Sequence, residues 1–142
     1  MRPLRILTIA ACPMPAQRGT PVRIARMSEA SAARGHEVVI ATYHIGDSAG
    51  AGTLDLVRID RPFQLGTLPP GPTLGKLMRI DPALLRTVRR LVAERRFDVI
   101  HAHHFEGLIV GALARPKGVP LVYDAHTMLR SELPSYVSRP LR

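Results

Sequence analysis

The sequence predicts an α/β fold, a mostly parallel sheet with helices on both faces. Three observations carry this. Short runs rich in β-branched and aliphatic side chains recur along the chain and read as buried strands. Between them lie segments with helix-start signals or a helical apolar face. The spacings suit right-handed βαβ crossovers. At 142 residues the chain has the length of one ordinary domain, and a single domain over 1–142 is expected.

The elements follow in order. Ile6 to Ala11 is the first strand, followed by a Pro/Gly loop from Pro13 to Gly19. Thr20 is a good N-cap and Pro21 a good first helical residue, so a helix is predicted from Pro21 to Arg34, with Gly35 as its C′ residue. His36 to Tyr43 is the second strand; Gly46 to Gly52 is a small-residue, flexible link, and Leu54 to Ile59 is the third strand. Arg61 to Gly75 is a Pro/Gly-rich connection.

Asp81-Pro82 repeats the cap-then-proline signal. Leu84, Leu85, Val88, Leu91 and Val92 then form one apolar helical face, with Arg86, Arg89, Arg90 and Glu94 off it. Phe97 to Ala102 is a strand, Glu106 to Leu113 a helix, Lys117-Gly118 a turn and Val119 to Tyr123 a further strand. The tail, Ser138 to Arg142, contains no closing element, and the chain is expected to be a fragment of something longer.

Composition narrows the function classes. A hydrophobic content of 46% argues against a disordered chain despite 13 prolines. Lys+Arg number 20 against 11 Asp+Glu, a net charge of +9, and Lys76 and Lys117 are the only lysines. Arginine pairs bidentately with phosphate and carboxylate, so acidic partners are the first expectation and plain solubility the alternative. Aromatics are only 4% and the arginines are spread along the whole chain, which argues against nucleic acid. The stripe Arg86, Arg89, Arg90, Arg95 and Arg96 reads as a solvated helix face, with peripheral contact to an anionic membrane as the next option.

Cys12 is the single cysteine, so no internal disulfide framework forms, and a reducing compartment fits. Ile9-Ala10-Ala11-Cys12 imitates a lipoprotein cleavage box. The apolar run before it is at the short end of a signal h-region and leads straight into a helix signal, so the strand reading and a cytoplasmic location are expected.

Ligands of an open parallel sheet bind beyond the carboxyl ends of its strands. Those ends are Cys12–Thr20, Tyr43–Gly46, His101–Glu106 and Asp124–Thr127, and they collect His44, His101, His103, His104 and His126. The first loop is the candidate anion site: Gly19 admits close approach to the backbone at a helix N-terminus, and Arg18 and Arg23 flank it against the helix dipole. No G-x-G-x-x-G and no Walker-type loop is present, so dehydrogenase and kinase readings lack support. His101-Ala102-His103 puts two imidazoles on one side of a strand. With Asp124 and His126 they could form a metal site, which leaves a metal-dependent hydrolase as an alternative.

Taken in order, the Pro-rich first loop with Gly19, the helix ending Ala-Ala-Arg-Gly-His-Glu-Val (32–38), the strand Phe97-Asp98-Val99-Ile100-His101-Ala102-His103 and the segment Val119 to Thr127 resemble the N-terminal domain of family 4 glycosyltransferases. The resemblance covers essentially the whole chain. It implies half of a GT-B enzyme, two Rossmann-like domains facing a cleft, in which this half handles the acceptor and the other binds most of a nucleotide-sugar. It implies transfer with retention, commonly without a metal ion and with no cofactor, the nucleotide-sugar being a co-substrate.

By the same resemblance His126 is the catalytic cleft histidine near the transferred sugar. Arg18, Gly19, Thr20, Arg23, His103, Asp124 and Thr127 are the substrate-binding set, with Arg23 as an anion clamp of the kind used on phosphorylated acceptors. A lipid-linked acceptor and contact with the inner face of the membrane also fit. Two residues depart from the family. Arg18-Gly19 stands where paired glycines are common, and Ser31 fills a position usually held by leucine, which predicts slight underpacking. The donor-binding Glu-x7-Glu stretch has no counterpart in 128–142, so a second domain or partner chain is expected to supply it, and the chain alone is expected to be inactive. A non-catalytic module for anionic glycans or lipid headgroups is the alternative outside enzymes.

Overall fold

A computed structural model describes residues 2–46, 52–60, 73 and 75–126. Five strands form one sheet: β1 (Arg5–Ala10), β2 (Glu37–Thr42), β3 (Asp55–Arg58), β4 (Val99–His103) and β5 (Leu121–Asp124). Their order is β3-β2-β1-β4-β5, and every neighbouring pair is parallel. The order reverses direction at β1, so a crevice opens beyond the carboxyl ends of β1 and β4, where such sheets bind ligands. The apolar run that imitates a leader is the central strand.

The helices cover both faces, as expected. Strand side chains alternate, so Leu7, Ile9, Val39, Ala41 and Ile100 point one way and Ala10 and Ile40 the other. The first set packs under α2 (Asp81–Glu94) and α3 (His104–Ala114), with Leu84, Val88, Leu91 and Val110 at the contact. The second packs under α1 (Gly19–Ala33) through Ile24, together with Cys12 and Met14. Each such aliphatic side chain contributes roughly 1.5–3 kcal/mol when fully buried. The apolar face read for α2 is therefore correct, with Leu85 and Val92 packed at its margin.

Close packing of α3 depends on two glycines one turn apart. A Cβ on Gly107 would lie 3.1 Å from the Ile9 carbonyl oxygen, and one on Gly111 would lie 2.9 Å from Leu121 Cδ1. With hydrogen in both places, the helix settles onto β1 and carries its N-terminus to the crevice. Gly46 has a similar role in the loop after β2, where a Cβ would collide with the Met14 backbone.

Several boundaries differ from expectation. α1 begins at Gly19, and Arg18 holds the N-cap position without a side-chain hydrogen bond, so Thr20 is inside the helix instead of capping it. Its other end is as read: Gly35, at φ +88°, donates its N–H to the Ala32 carbonyl. Ser31 back-bonds to the Met27 carbonyl at 2.9 Å, so its hydroxyl is satisfied where leucine would pack.

The largest correction is at Asp81, which caps nothing. A π-helical turn, Lys76–Ile80, runs into α2 without a break, and Asp81 is buried inside the continuous helix. Pro82 has no N–H to give the preceding turn, and a wide turn just ahead of it accommodates that loss. α3 starts two residues early, at His104, whose φ is +62°. β1 and β2 keep their places, while β4 and β5 each start and end one or two residues later than read. Most of the Arg61–Gly75 connection and the tail from residue 127 lie outside the described residues.

Candidate functional site

β4 and β5 run side by side with His101 opposite Val122 and His103 opposite Asp124. The two-residue period sends His101, His103 and Asp124 to the α1 face of the sheet, near its carboxyl edge. His126 follows just beyond β5. Its Nε2 lies 3.0 Å from His103 Nδ1, so one proton is shared between the two rings. The His101 and His103 rings are 4.3 Å apart, and His104 stacks on His126 at 5.2 Å. The left-handed backbone at His104 makes the sharp strand-to-helix turn that brings its ring there. On the same face, α1 adds Arg23, whose guanidinium meets Asp124 Oδ1 at 3.1 Å. The other carboxylate oxygen, Oδ2, is buried without a hydrogen bond to any described residue; it is 3.6 Å from His103 Nδ1 and 3.9 Å from His126 Nε2.

Burial sets the charge state. His103 is 1% exposed, and loss of water, reinforced by the His101 and His126 imidazoles, pushes its pKa down to about 3, while Asp124 pulls the other way. Burial lowers His101 and His126 as well. At neutral pH these three rings are therefore uncharged, each with one nitrogen that donates and one that accepts. That suits hydrogen bonding to hydroxyl groups.

A second polar group lies on the opposite face of the sheet, below the first loop. Tyr43 donates its hydroxyl to Asp81 Oδ1 at 2.7 Å, and both are buried, as is Lys76. Burial raises Asp81, opposed by the Tyr43 hydrogen bond and by Lys76, and lowers Lys76, opposed by Glu106 and Asp81. Burial also pushes the Cys12 thiol up to about 12, so it is no nucleophile. A groove of about 660 Å³ lies at the opposite, amino end of the sheet, lined by Arg2, Arg5, Glu37, Arg96 and Asp98 among others. Arg2 pairs with Asp98 there and Arg5 with Glu37, so most of its charge is already matched.

Residues 18–142 match the family model described as a glycosyl transferase 4-like domain. The chain belongs to that family. No curated protein sequence matches it. Among solved structures, it is similar to the C-terminal domain of a hydrogenase from Pyrococcus furiosus in two crystal structures that span different residue ranges. The first, residues 83–215, has a TM-score of 0.58 at 14% identity and covers 84% of this chain and 90% of that one. The second, residues 78–226, has a TM-score of 0.59 at 19% identity and covers 87% and 93%. Likeness at that level shows a shared fold.

Within this glycosyl transferase 4-like domain, the expected site residues separate into groups. His103, Asp124, His126 and Arg23 meet in one cluster, across three elements. Arg18, Gly19 and Thr20 start α1, where no described side chain caps the helix and no described residue lies within 4 Å of a Cβ built on Gly19. Arg23, expected as an anion clamp, is paired with Asp124, and His103 is buried. Thr127 lies outside the described residues. His44 follows β2, two strands from β4 in the sheet. The stripe on and after α2 is exposed, and its Arg95 pairs with Asp55 at 3.3 Å.

Sequence reasoning missed the Tyr43–Asp81–Lys76 group, because Asp81 looked like a cap and Lys76 fell between the predicted elements. The signal available was a lysine and an aspartate five residues apart beside an aliphatic helical face. The glycine pair of α3, four residues apart, is likewise a close-packing signature present in the sequence.

Proposed function

We propose that this glycosyl transferase 4-like domain is the acceptor-side half of a retaining glycosyltransferase of the GT-B kind, which moves a sugar from a nucleotide-sugar to an acceptor. The observation that carries the reading is the neutral His126–His103 pair, fixed by Asp124 and Arg23 at the carboxyl edge of β4 and β5 beside the reversal of strand order. His126, whose side chain keeps about a tenth of its surface exposed, hydrogen-bonds the sugar hydroxyls or the acceptor, an interaction that strengthens as charge develops at the reacting centre. His103 positions it from behind.

The uncapped start of α1, with Arg18 and the Gly19 backbone, takes the anionic part of the donor or of a phosphorylated or lipid-linked acceptor. Most nucleotide-sugar contacts come from a second α/β domain, in the same chain or a partner, so the domain alone does not turn over donor. No cofactor is required. The exposed arginines of α2 and its C-terminal end suit a cytoplasmic enzyme resting on the anionic inner face of a membrane.

The test is His126→Ala in the complete two-domain enzyme. kcat/KM is expected to fall on the order of a hundredfold, the effect of losing one well-placed donor to developing charge. An unchanged kcat/KM removes His126 from the cleft, and normal turnover by the isolated domain overturns its assignment to the acceptor side.

A further inference from the structure

The ligand-like atoms at the ends of β4 and β5 form a triangle of metal dimensions. His103 Nδ1, His126 Nε2 and Asp124 Oδ2 are separated by 3.0, 3.6 and 3.9 Å. A tetrahedral ion with bonds of about 2.0–2.1 Å holds its ligand atoms roughly 3.3 Å apart. A nitrogen of His101 comes within 4.8 Å of ligand atoms of both His103 and Asp124. We propose that His103, Asp124 and His126, with His101 as the fourth ligand, form a binding site for a first-row divalent transition ion of the zinc class.

The second, independent observation is Asp124. Its Oδ1 is held by Arg23 at 3.1 Å, the kind of outer hydrogen bond that orients a ligating carboxylate. Its Oδ2 faces the imidazoles and, among the described residues, is buried without a hydrogen-bond donor. An anionic oxygen removed from water and left without a donor is costly, and a cation between it and the two nitrogens removes that cost. Imidazole nitrogen with a single carboxylate selects zinc, cobalt, nickel or copper over magnesium and calcium, which need more oxygen ligands. Four protein ligands would close the coordination sphere, so the ion fastens β4 to the segment after β5 and does not activate water. An occupied site also ties up His126, so the ion competes with the role proposed for that residue.

The inference stands on ligand geometry and does not depend on glycosyl transfer; the test uses the 142-residue chain with no sugar substrate, so either reading can fail alone. Apo protein is titrated with Co2+ and read by its visible ligand-field bands, then displaced with Zn2+, whose binding heat is measured directly. One ion per chain is expected, with the intense bands of a four-coordinate site. Asp124→Asn and His126→Gln, neither of them fully buried, are each expected to weaken binding by roughly ten- to a hundredfold, with far-UV circular dichroism unchanged. Weak six-coordinate bands, no saturable Zn2+ heat, or undiminished affinity in both variants overturns the site.

Discussion

Arg23 and Asp124 are 101 residues apart in sequence, and their side chains meet at 3.1 Å across the carboxyl edge of the sheet. One belongs to the second turn of α1 and the other ends β5, so the contact ties the loop side of the crevice to its histidine side. It also explains why an arginine is tolerated near a helix start that the dipole disfavours. A double-mutant cycle with Arg23→Ala and Asp124→Ala is expected to give a coupling energy of about 0.5–1 kcal/mol, since Arg23 is more than half exposed at 54%. Urea unfolding at low and high salt checks it, and the coupling should shrink with salt.

Acid should destabilise the metal-free domain through its histidines. The folded pKa of His103 lies at about 3, and those of His101 and His126 are also lowered, against about 6.5 when unfolded. Below pH 6.5 the unfolded chain therefore binds more protons than the folded one. The stability His103 contributes is complete above that pH and is lost as pH falls toward 3, at up to roughly 1.4 kcal/mol per pH unit, and His101 and His126 act in the same direction. Denaturant titrations between pH 7.5 and 4.5 in chelator should show this slope, and His103→Asn should flatten it. Stability that holds constant over that range contradicts the assignment.

Tyr43→Phe removes the donor to Asp81 Oδ1 at 2.7 Å and leaves a carboxylate whose Oδ2 already lacks a hydrogen bond. A loss of about 1–3 kcal/mol is expected. The double variant with Asp81→Leu should recover part of it, because both polar partners are then gone. Thermal melts of the three proteins decide the matter.

The glycines should separate by their surroundings. Gly107→Ala places a methyl 3.1 Å from the Ile9 carbonyl, and Gly111→Ala places one 2.9 Å from Leu121 Cδ1. Overpacking of about 1–3 kcal/mol is expected for Gly107, where the obstacle is backbone, and less for Gly111, where a leucine tip can turn. Gly19→Ala meets no described residue within 4 Å and should be neutral or slightly stabilising. If it nevertheless weakens binding of an anionic substrate by the complete enzyme, close approach to its backbone is the reason.

The strands were legible because their cause is local. Ile6 to Ala11 and Val38 to Thr42 are aliphatic runs with few polar interruptions, which marks a strand buried on both faces wherever it stands in the chain; Val119 to Tyr123 was legible as a strand by the same pattern, but β5 lies at the sheet edge with Val122 half exposed. The apolar face from Leu84 to Val92 and the turn at Gly35 were legible for the same reason. The histidines at strand ends could be collected from chain order alone, because a parallel sheet puts all its carboxyl ends on one side.

What needed tertiary structure were the relations between elements. The sequence offers Asp81-Pro82 as a helix start, and only the continuous helix from Lys76, with Tyr43 beneath it, makes Asp81 a buried hydrogen-bond acceptor. It offers Arg23 as a free cation, and only the packing of α1 over β1 brings it to Asp124. Local patterning specifies which segments are strands and helices because each residue's preference depends on its chain neighbours. Which histidine nitrogen faces which carboxylate oxygen depends on register across β4 and β5 and on the close seating of α3, and no short stretch of chain contains that information.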